Sequence, residues 1–176
     1  QKLLIRRSRG YAPQPIFVAQ RFVQPVLACG AHLKNTFCLG KDRHAFMSHH
    51  IGDLENYETL KSFVDGIAHF KNLFAVEPAV IAHDLHPEYL SAKYAVGVGG
   101  LTKVGVQHHH AHVAAVLAEH RMEQAALGLA LDGVGHGSDG TAWGGELLRV
   151  DGASFVRLGR LRPLRLPGGD RAARAR

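Results

Sequence analysis

The sequence has only two cysteines, Cys29 and Cys38, in 176 residues. Two thiols cannot close a zinc site by themselves and are too few for a disulfide framework, so a reducing cytoplasm is the expected compartment. No apolar run approaches the roughly 20 residues that span a bilayer. The opening Gln1-Lys2-Leu3-Leu4-Ile5-Arg6-Arg7 lacks the layout of a signal peptide. Neither a membrane span nor a secretory leader is expected, and the missing initiator methionine is read as a sign of a longer parent. No Gly-Lys-Ser or Gly-Lys-Thr follows any glycine-rich stretch, which excludes a Walker phosphate loop. Acids are scarce at the ends: residues 1–21 and 151–176 hold 12 of the 21 Lys/Arg but only Asp151 and Asp170. The formal charge of +6 therefore belongs to the ends, while the interior carries nine bases against 13 acids. Aromatics do not interleave with the basic runs, so nucleic-acid stacking is not expected.

What is present is enough apolar residue, 46% of the chain, to build a core. Residues 6–20, punctuated by Pro and Gly and without periodicity, read as a linker. Short apolar runs at Val26–Cys29, Thr36–Leu39 and Ala45–Met47 predict a three-stranded meander. From Asp53 to Phe74 the period changes. Leu54, Tyr57, Leu60, Phe63, Ile67, Phe70 and Leu73 recur every three or four residues, the mark of an amphipathic helix, with Asp53 as a candidate N-cap. A buried strand at Ala79–Ala82, a helix at Glu88–Val96, a strand at Val104–Val106 and a helix through the histidine cluster to His120 follow. Strands at Leu127–Leu131, Glu146–Val150 and Phe155–Leu166 then restart the pattern. This α/β order is similar to the ribonuclease-H-like lobe of the actin, sugar-kinase and Hsp70 superfamily, followed by a truncated second lobe. The expected division is a linker at 1–20, a first lobe at 21–122 and opening strands of a second lobe at 123–176.

His108-His109-His110-Ala111-His112 is the strongest chemical signal. On a helix His108 and His112 share one face, one turn apart, and two imidazoles in that relation can grip one divalent metal. His109 and His110 point elsewhere, and for them a structural role is as well supported. Asp132 ends a strand and is a candidate third ligand. It opens Asp132-Gly133-Val134-Gly135-His136-Gly137-Ser138-Asp139-Gly140-Thr141, whose glycines let backbone N–H groups approach a phosphate. Gly133, Gly135, Gly137, Asp139 and Gly140 are thus candidate nucleotide contacts, against the plainer reading of a hairpin turn. The run lacks the ligand rhythm of a calcium loop. In Gly30–Thr36, Lys34 and Asn35 are candidate catalytic groups facing the cleft, although a surface lysine in a hairpin is the simpler local reading. His83 and His86 follow a buried strand, where α/β folds place ligand groups, and are equally open to a structural role.

Taken in order, GAHLKNTFCL, SHHIGDLENYETL, AHDLHPEYLSAKYA, VQHHHAHVAAVLAEH and LALDGVGHGSDGTAWGGEL resemble successive motifs of the HypF family, the carbamoyltransferases of nickel–iron hydrogenase maturation. RRSRGYAP resembles the junction leaving that family's YrdC-like domain. The wider kin are antibiotic O-carbamoyltransferases and tRNA threonylcarbamoyladenosine enzymes, which share the His-x3-His helix. The resemblance implies ATP and carbamoyl phosphate as substrates, a carbamoyl adenylate, and a HypE-like partner whose C-terminal cysteine becomes a thiocarbamate, later dehydrated to the cyanide ligand of the iron. It implies a divalent metal on His108, His112 and Asp132, with iron or zinc foremost, a phosphate near Gly133–Gly140, and Lys34 and Asn35 at the same cleft. The family's acylphosphatase-like, zinc-finger and YrdC-like parts are not in this sequence, and the Arg/Ala run past Asp170 departs from its pattern. Two other readings stay open: a carbamoyltransferase acting on a small-molecule hydroxyl, and a non-catalytic metal- or nucleotide-binding remnant.

Overall fold

The computed structural model describes residues 14–162. The expected meander forms as β2 (Val26–Ala28), β3 (Cys38–Lys41) and β4 (His44–Met47), paired antiparallel in register. β5 (Val80–Asp84) and β6 (Thr102–Val106) then add in parallel on the other side of β2. The resulting order β4-β3-β2-β5-β6 is that of a ribonuclease-H-like lobe. One element departs from the sequence reading. β1 (Ile16–Phe17) lies within the stretch read as linker, yet it pairs antiparallel with β4 and closes that edge of the sheet. Two residues carry no period, so only the pairing reveals the strand. Residues 1–13 of that stretch, and 163–166 of the last predicted strand, lie outside the described residues.

Helix α1 (Tyr57–Phe74) starts later than its apolar period suggested. Asn56, not Asp53, caps it by accepting from the Thr59 N–H, while Asp53 accepts the Lys34 N–H at 2.7 Å. The buried stripe of Phe63, Ile67 and Phe70 packs on the sheet, where Phe37 meets Phe63 and Phe70 edge to face. With Leu27, Leu39, Leu54 and Ile81 they form the first core. Cys29 is fully buried there, and desolvation pushes its thiol up to about 12. α2 (Leu90–Gly97) presents Ala95, with Leu90 and Tyr94, to this core.

α3 (His108–Glu119) leaves the end of β6 and packs against a second, three-stranded antiparallel sheet. That sheet comprises β7 (Ala126–His136), β8 (Ala142–Asp151) and β9 (Ser154–Arg160). Val113 and Leu117 of α3 meet Ala130, Trp143, Leu148, Val150 and Phe155 in a second core. α3 is therefore shared: its N-terminus adjoins the first sheet, its apolar face the second.

Candidate metal centre

Gln107 initiates α3 as an N-cap, its side-chain oxygen accepting the His110 N–H at 2.8 Å. One turn of helix then stacks His108 under His112, with their Nε2 atoms 3.2 Å apart. The third group comes from β7. Between Leu131 and Gly135 this strand bulges against β8, Leu131 facing Gly145 and Gly135 facing Trp143. The bulge keeps Asp132 in phase with buried Ala130 and then shifts the phase, so that Gly135, not Val134, is buried next. Asp132 Oδ2 thus lies 3.1 Å from His108 Nε2, and one ligand atom from each of His108, His112 and Asp132 falls within 4.8 Å of the others.

The chemistry of this donor set fits a cation. Asp84, at the end of β5, places Oδ2 2.6 Å from His108 Nδ1, which directs the lone pair of Nε2 toward His112 and Asp132. Asp132 Oδ2 is buried and has no hydrogen-bond partner among the described residues. Tetrahedral ligands at zinc-type bond lengths sit about 3.3 Å apart, close to the spacings of His108 Nε2 from its two neighbours. Electrostatics agree. Burial opposes charge on Asp84, but hydrogen bonds from His108 and the His86 N–H outweigh it and hold the carboxyl below its usual range. Its hydrogen bond, with the charges of Asp84 and Asp132, raises the His108 pKa against the effect of burial. The two carboxylates also offset the positive N-terminus of α3.

Of the remaining histidines of the cluster, His110 is buried, stacks on Phe155 and places Nε2 3.1 Å from the Gly152 carbonyl. It ties α3 to the β8–β9 turn. His109 is fully buried, and desolvation lowers its pKa.

A cleft of about 430 Å³ opens beside His108 and His112, walled by Gly30, Ala31, Thr36, Ala82, His83 and Ala111 among others. The Gly30–Thr36 turn does face it, but not through the two residues expected. Asn35 is 1% exposed, and its amide donates to the carbonyls of Cys29 and Ala31, bracing the turn from behind. Lys34 is exposed, with its backbone left-handed at φ 49° and its N–H held by Asp53. Neither residue is among those that wall the cleft. Ser91 donates to the Gly30 and Ala31 carbonyls, and at Gly30 (φ 65°) a Cβ would overlap the Thr36 carbonyl, so the turn demands glycine.

The glycine run divides between strand and turn. Gly133 and Gly135 belong to β7, and the turn proper is Gly137–Thr141. The Gly133 N–H donates to Asp132 Oδ1, that of Gly137 to the Thr141 carbonyl, and that of Gly140 to the Gly137 carbonyl. Asp139 Oδ1 accepts from the Thr141 N–H, the Thr141 hydroxyl and the Trp143 indole, which brings its pKa to about 2. These groups close a hairpin. Gly135 matters for close packing, since a Cβ there would lie 2.7 Å from His109 Cε1 and 2.9 Å from His108 Cδ2. Its bare backbone lets β7 approach the histidines.

Sequence reasoning passed over Asp84, Gln107 and Glu146. Asp84 had a usable signal, since it sits between the two histidines singled out at the end of a buried strand. His83 lines the cleft, and His86 stacks on Tyr89 at 4.0 Å.

A ribonuclease-H-like lobe, a second sheet and a His-x3-His helix between them define a domain of the actin, sugar-kinase and Hsp70 fold class. Residues 21–119 match the family model for the HypF Kae1-like domain, and residues 128–176 that for the second subdomain of the carbamoyltransferase Kae1-like domain. The chain belongs to the HypF family. It is 53% identical over 173 residues to carbamoyltransferase HypF2 of Cupriavidus necator, covering 97% of this chain and 21% of that protein. Against carbamoyltransferase HypF of Rhizobium leguminosarum bv. viciae the identity is 49%, covering 97% and 22%. The crystal structure of a full-length HypF in its phosphate- and nucleotide-bound form superposes with a TM-score of 0.91 at 48% identity, covering 96% of this chain and 22% of that one. The structure of T. kodakarensis HypF gives 0.88 at 40% identity, covering 97% and 23%. The chain thus spans about a fifth of the length of these relatives.

Proposed function

We propose that this chain is the metal-holding part of an ATP-dependent carbamoyltransferase, with His108, His112 and Asp132 as protein ligands to a divalent cation. One observation carries the reading: two imidazole nitrogens and a buried, unpartnered carboxylate oxygen converge, while Asp84 occupies the opposite nitrogen of His108. Imidazole with carboxylate suits iron or zinc. When bound, the metal supplies Lewis acidity to an oxygen of the nucleotide or carbamoyl group. The protein's own part is positional. Asp84 fixes the ring and proton of His108, the bulge of β7 aims Asp132, and the small walls of the adjoining cleft leave room for a planar carbamoyl group beside the histidines.

The carbamoyltransferase relatives and the phosphate- and nucleotide-bound form of one HypF favour a nucleotide-using carbamoyl transfer; we propose carbamoyl phosphate and ATP as substrates and the C-terminal cysteine of a HypE-like protein as acceptor, in the cytoplasm. The domain division proposed is a lobe through residue 122 and the start of a second lobe beyond it. Replacing His108 and His112 together by Ala is expected to abolish stoichiometric divalent metal, measured by elemental analysis; unchanged content overturns the site. Offered ATP, carbamoyl phosphate and a HypE-tail peptide, the full-length parent is expected to form a cysteine carbamoyl adduct visible by mass spectrometry. Transfer to small-molecule hydroxyls instead would assign it to the O-carbamoyltransferases.

A further inference from the structure

Gln107, buried at the end of β6, has an amide whose two ends are told apart by its neighbours. The His110 N–H, which can only donate, lies 2.8 Å from one end and fixes it as oxygen. The other end lies 3.3 Å from the His136 carbonyl, which can only accept, and is therefore the NH2 group. That same nitrogen is 3.1 Å from His109 Nδ1. Nδ1 must accept, so it bears no hydrogen, and the neutral ring carries its proton on Nε2. Capping a helix thereby sets the tautomer of a histidine two residues on.

The proton so placed has nowhere to go within hydrogen-bond reach. His109 is fully buried, and its Nε2 has no partner among the described residues. At 3.9 Å lies Asp132 Oδ2, also buried, whose nearer polar neighbour is His108 Nε2 at 3.1 Å on the metal side. A donor and an acceptor, both withheld from water, face each other slightly too far apart to bond. Folds rarely keep such a pair without a use for it. A carboxylate oxygen has two lone-pair sites, so Oδ2 can serve a cation and an N–H together. Gly135 lets the ring come this close to β7, and Trp143 packs beside it at 5.9 Å.

We infer that His109 is a positioning residue for Asp132, presenting Nε2–H to its carboxylate, and that Gln107 sets the tautomer this requires. The inference rests on the metal reading above and extends it. Each of two ligands then has its own buried partner, Asp84 for His108 and His109 for Asp132. His109 touches no reacting atom; it acts through the orientation of Asp132 and keeps that oxygen from turning away.

The test uses the 176-residue chain with Co2+ as probe, reading affinity by chelator competition and geometry by the visible ligand-field spectrum. His109→Leu is expected to bind Co2+ about 10–100-fold more weakly, with an altered spectrum. His109→Gln, whose amide N–H reaches a similar place, is expected to recover most of that loss. In Gln107→Glu the carboxylate takes the Nδ1 proton as acceptor, and Co2+ affinity falls as in His109→Leu. Nitrogen-15 spectra of the metal-free chain are expected to show His109 as the Nε2–H tautomer, a readout independent of any variant's folding. An Nδ1–H tautomer, native affinity in His109→Leu, or no recovery in His109→Gln would each overturn the inference. If the native chain itself fails to take up Co2+, the metal reading falls and this role for His109 with it. A loss confined to the variants leaves that reading standing.

Discussion

Glu146 is almost fully buried and yet ionised, because every part of its carboxylate is met. Arg157 grips it with Nε to Oε2 at 2.7 Å and a terminal nitrogen to Oε1 at 2.9 Å, while the Gly144 N–H adds a third bond at 3.0 Å. The guanidinium lies over the Trp143 ring at 4.1 Å. Burial raises the Glu146 pKa, but the bonds from Arg157 and Gly144 outweigh it and set the pKa below the ordinary glutamate value. A carboxyl depressed in the folded state stabilises above its unfolded pKa and loses that contribution as pH falls through the folded one. Glu146→Ala is therefore expected to cost about 3 kcal/mol at neutral pH, the range for breaking a buried pair. The gap to the native chain should shrink as pH drops below the usual glutamate range, followed by urea unfolding across pH. No motif marked Glu146 in the sequence, because its partner lies on another strand, eleven residues on.

At the scale of elements, α3 and β7 build the site together, and their fit depends on Gly135. Valine there would drive its Cβ against His109 Cε1 at 2.7 Å and His108 Cβ at 3.0 Å, both on a packed helix. Gly135→Val is expected to lower metal content and, by overpacking, stability by about 1–3 kcal/mol together. Elemental analysis beside a urea titration checks both, and loss of one without the other would separate packing from the site. Much of this arrangement was legible. The i, i+4 histidines could be read because the helix period is local, whereas Asp132, expected at a strand's end, lies inside β7 at a bulge that only the pairing with β8 reveals. The glycines could not be assigned, because a hairpin and a phosphate cradle use the same residue types. What divides them is where each N–H goes, and that depends on the partner strand.

On the scale of the whole molecule, the two sheets differ in how completely they are covered. The first is packed by α1 and α2, whereas one face of the second remains open among the described residues. Leu127, Leu129, Leu131, Val156 and Leu158 are each at least half exposed, and Leu129 stands directly opposite Leu147. An apolar face of this kind drives association. The purified chain is expected to self-associate at micromolar concentration, and Leu127→Lys with Leu129→Lys to shift it toward monomer in sedimentation velocity. A native chain that sediments as a monomer throughout that range would count against this role of the face.

Sequence alone determined the order of strands and helices from β2 onward, the Phe63, Ile67 and Phe70 face of α1 and the histidine pair, since each is written in spacings a few residues long. Only the tertiary structure decided which polar groups support that site. Asp84, Gln107 and His109 gain meaning from atoms on other elements, and the Asn35 amide turns to the Cys29 and Ala31 carbonyls. Hydrogen bonding is directional and short-ranged, so its partners are known only once the chain has brought distant residues within about 3 Å.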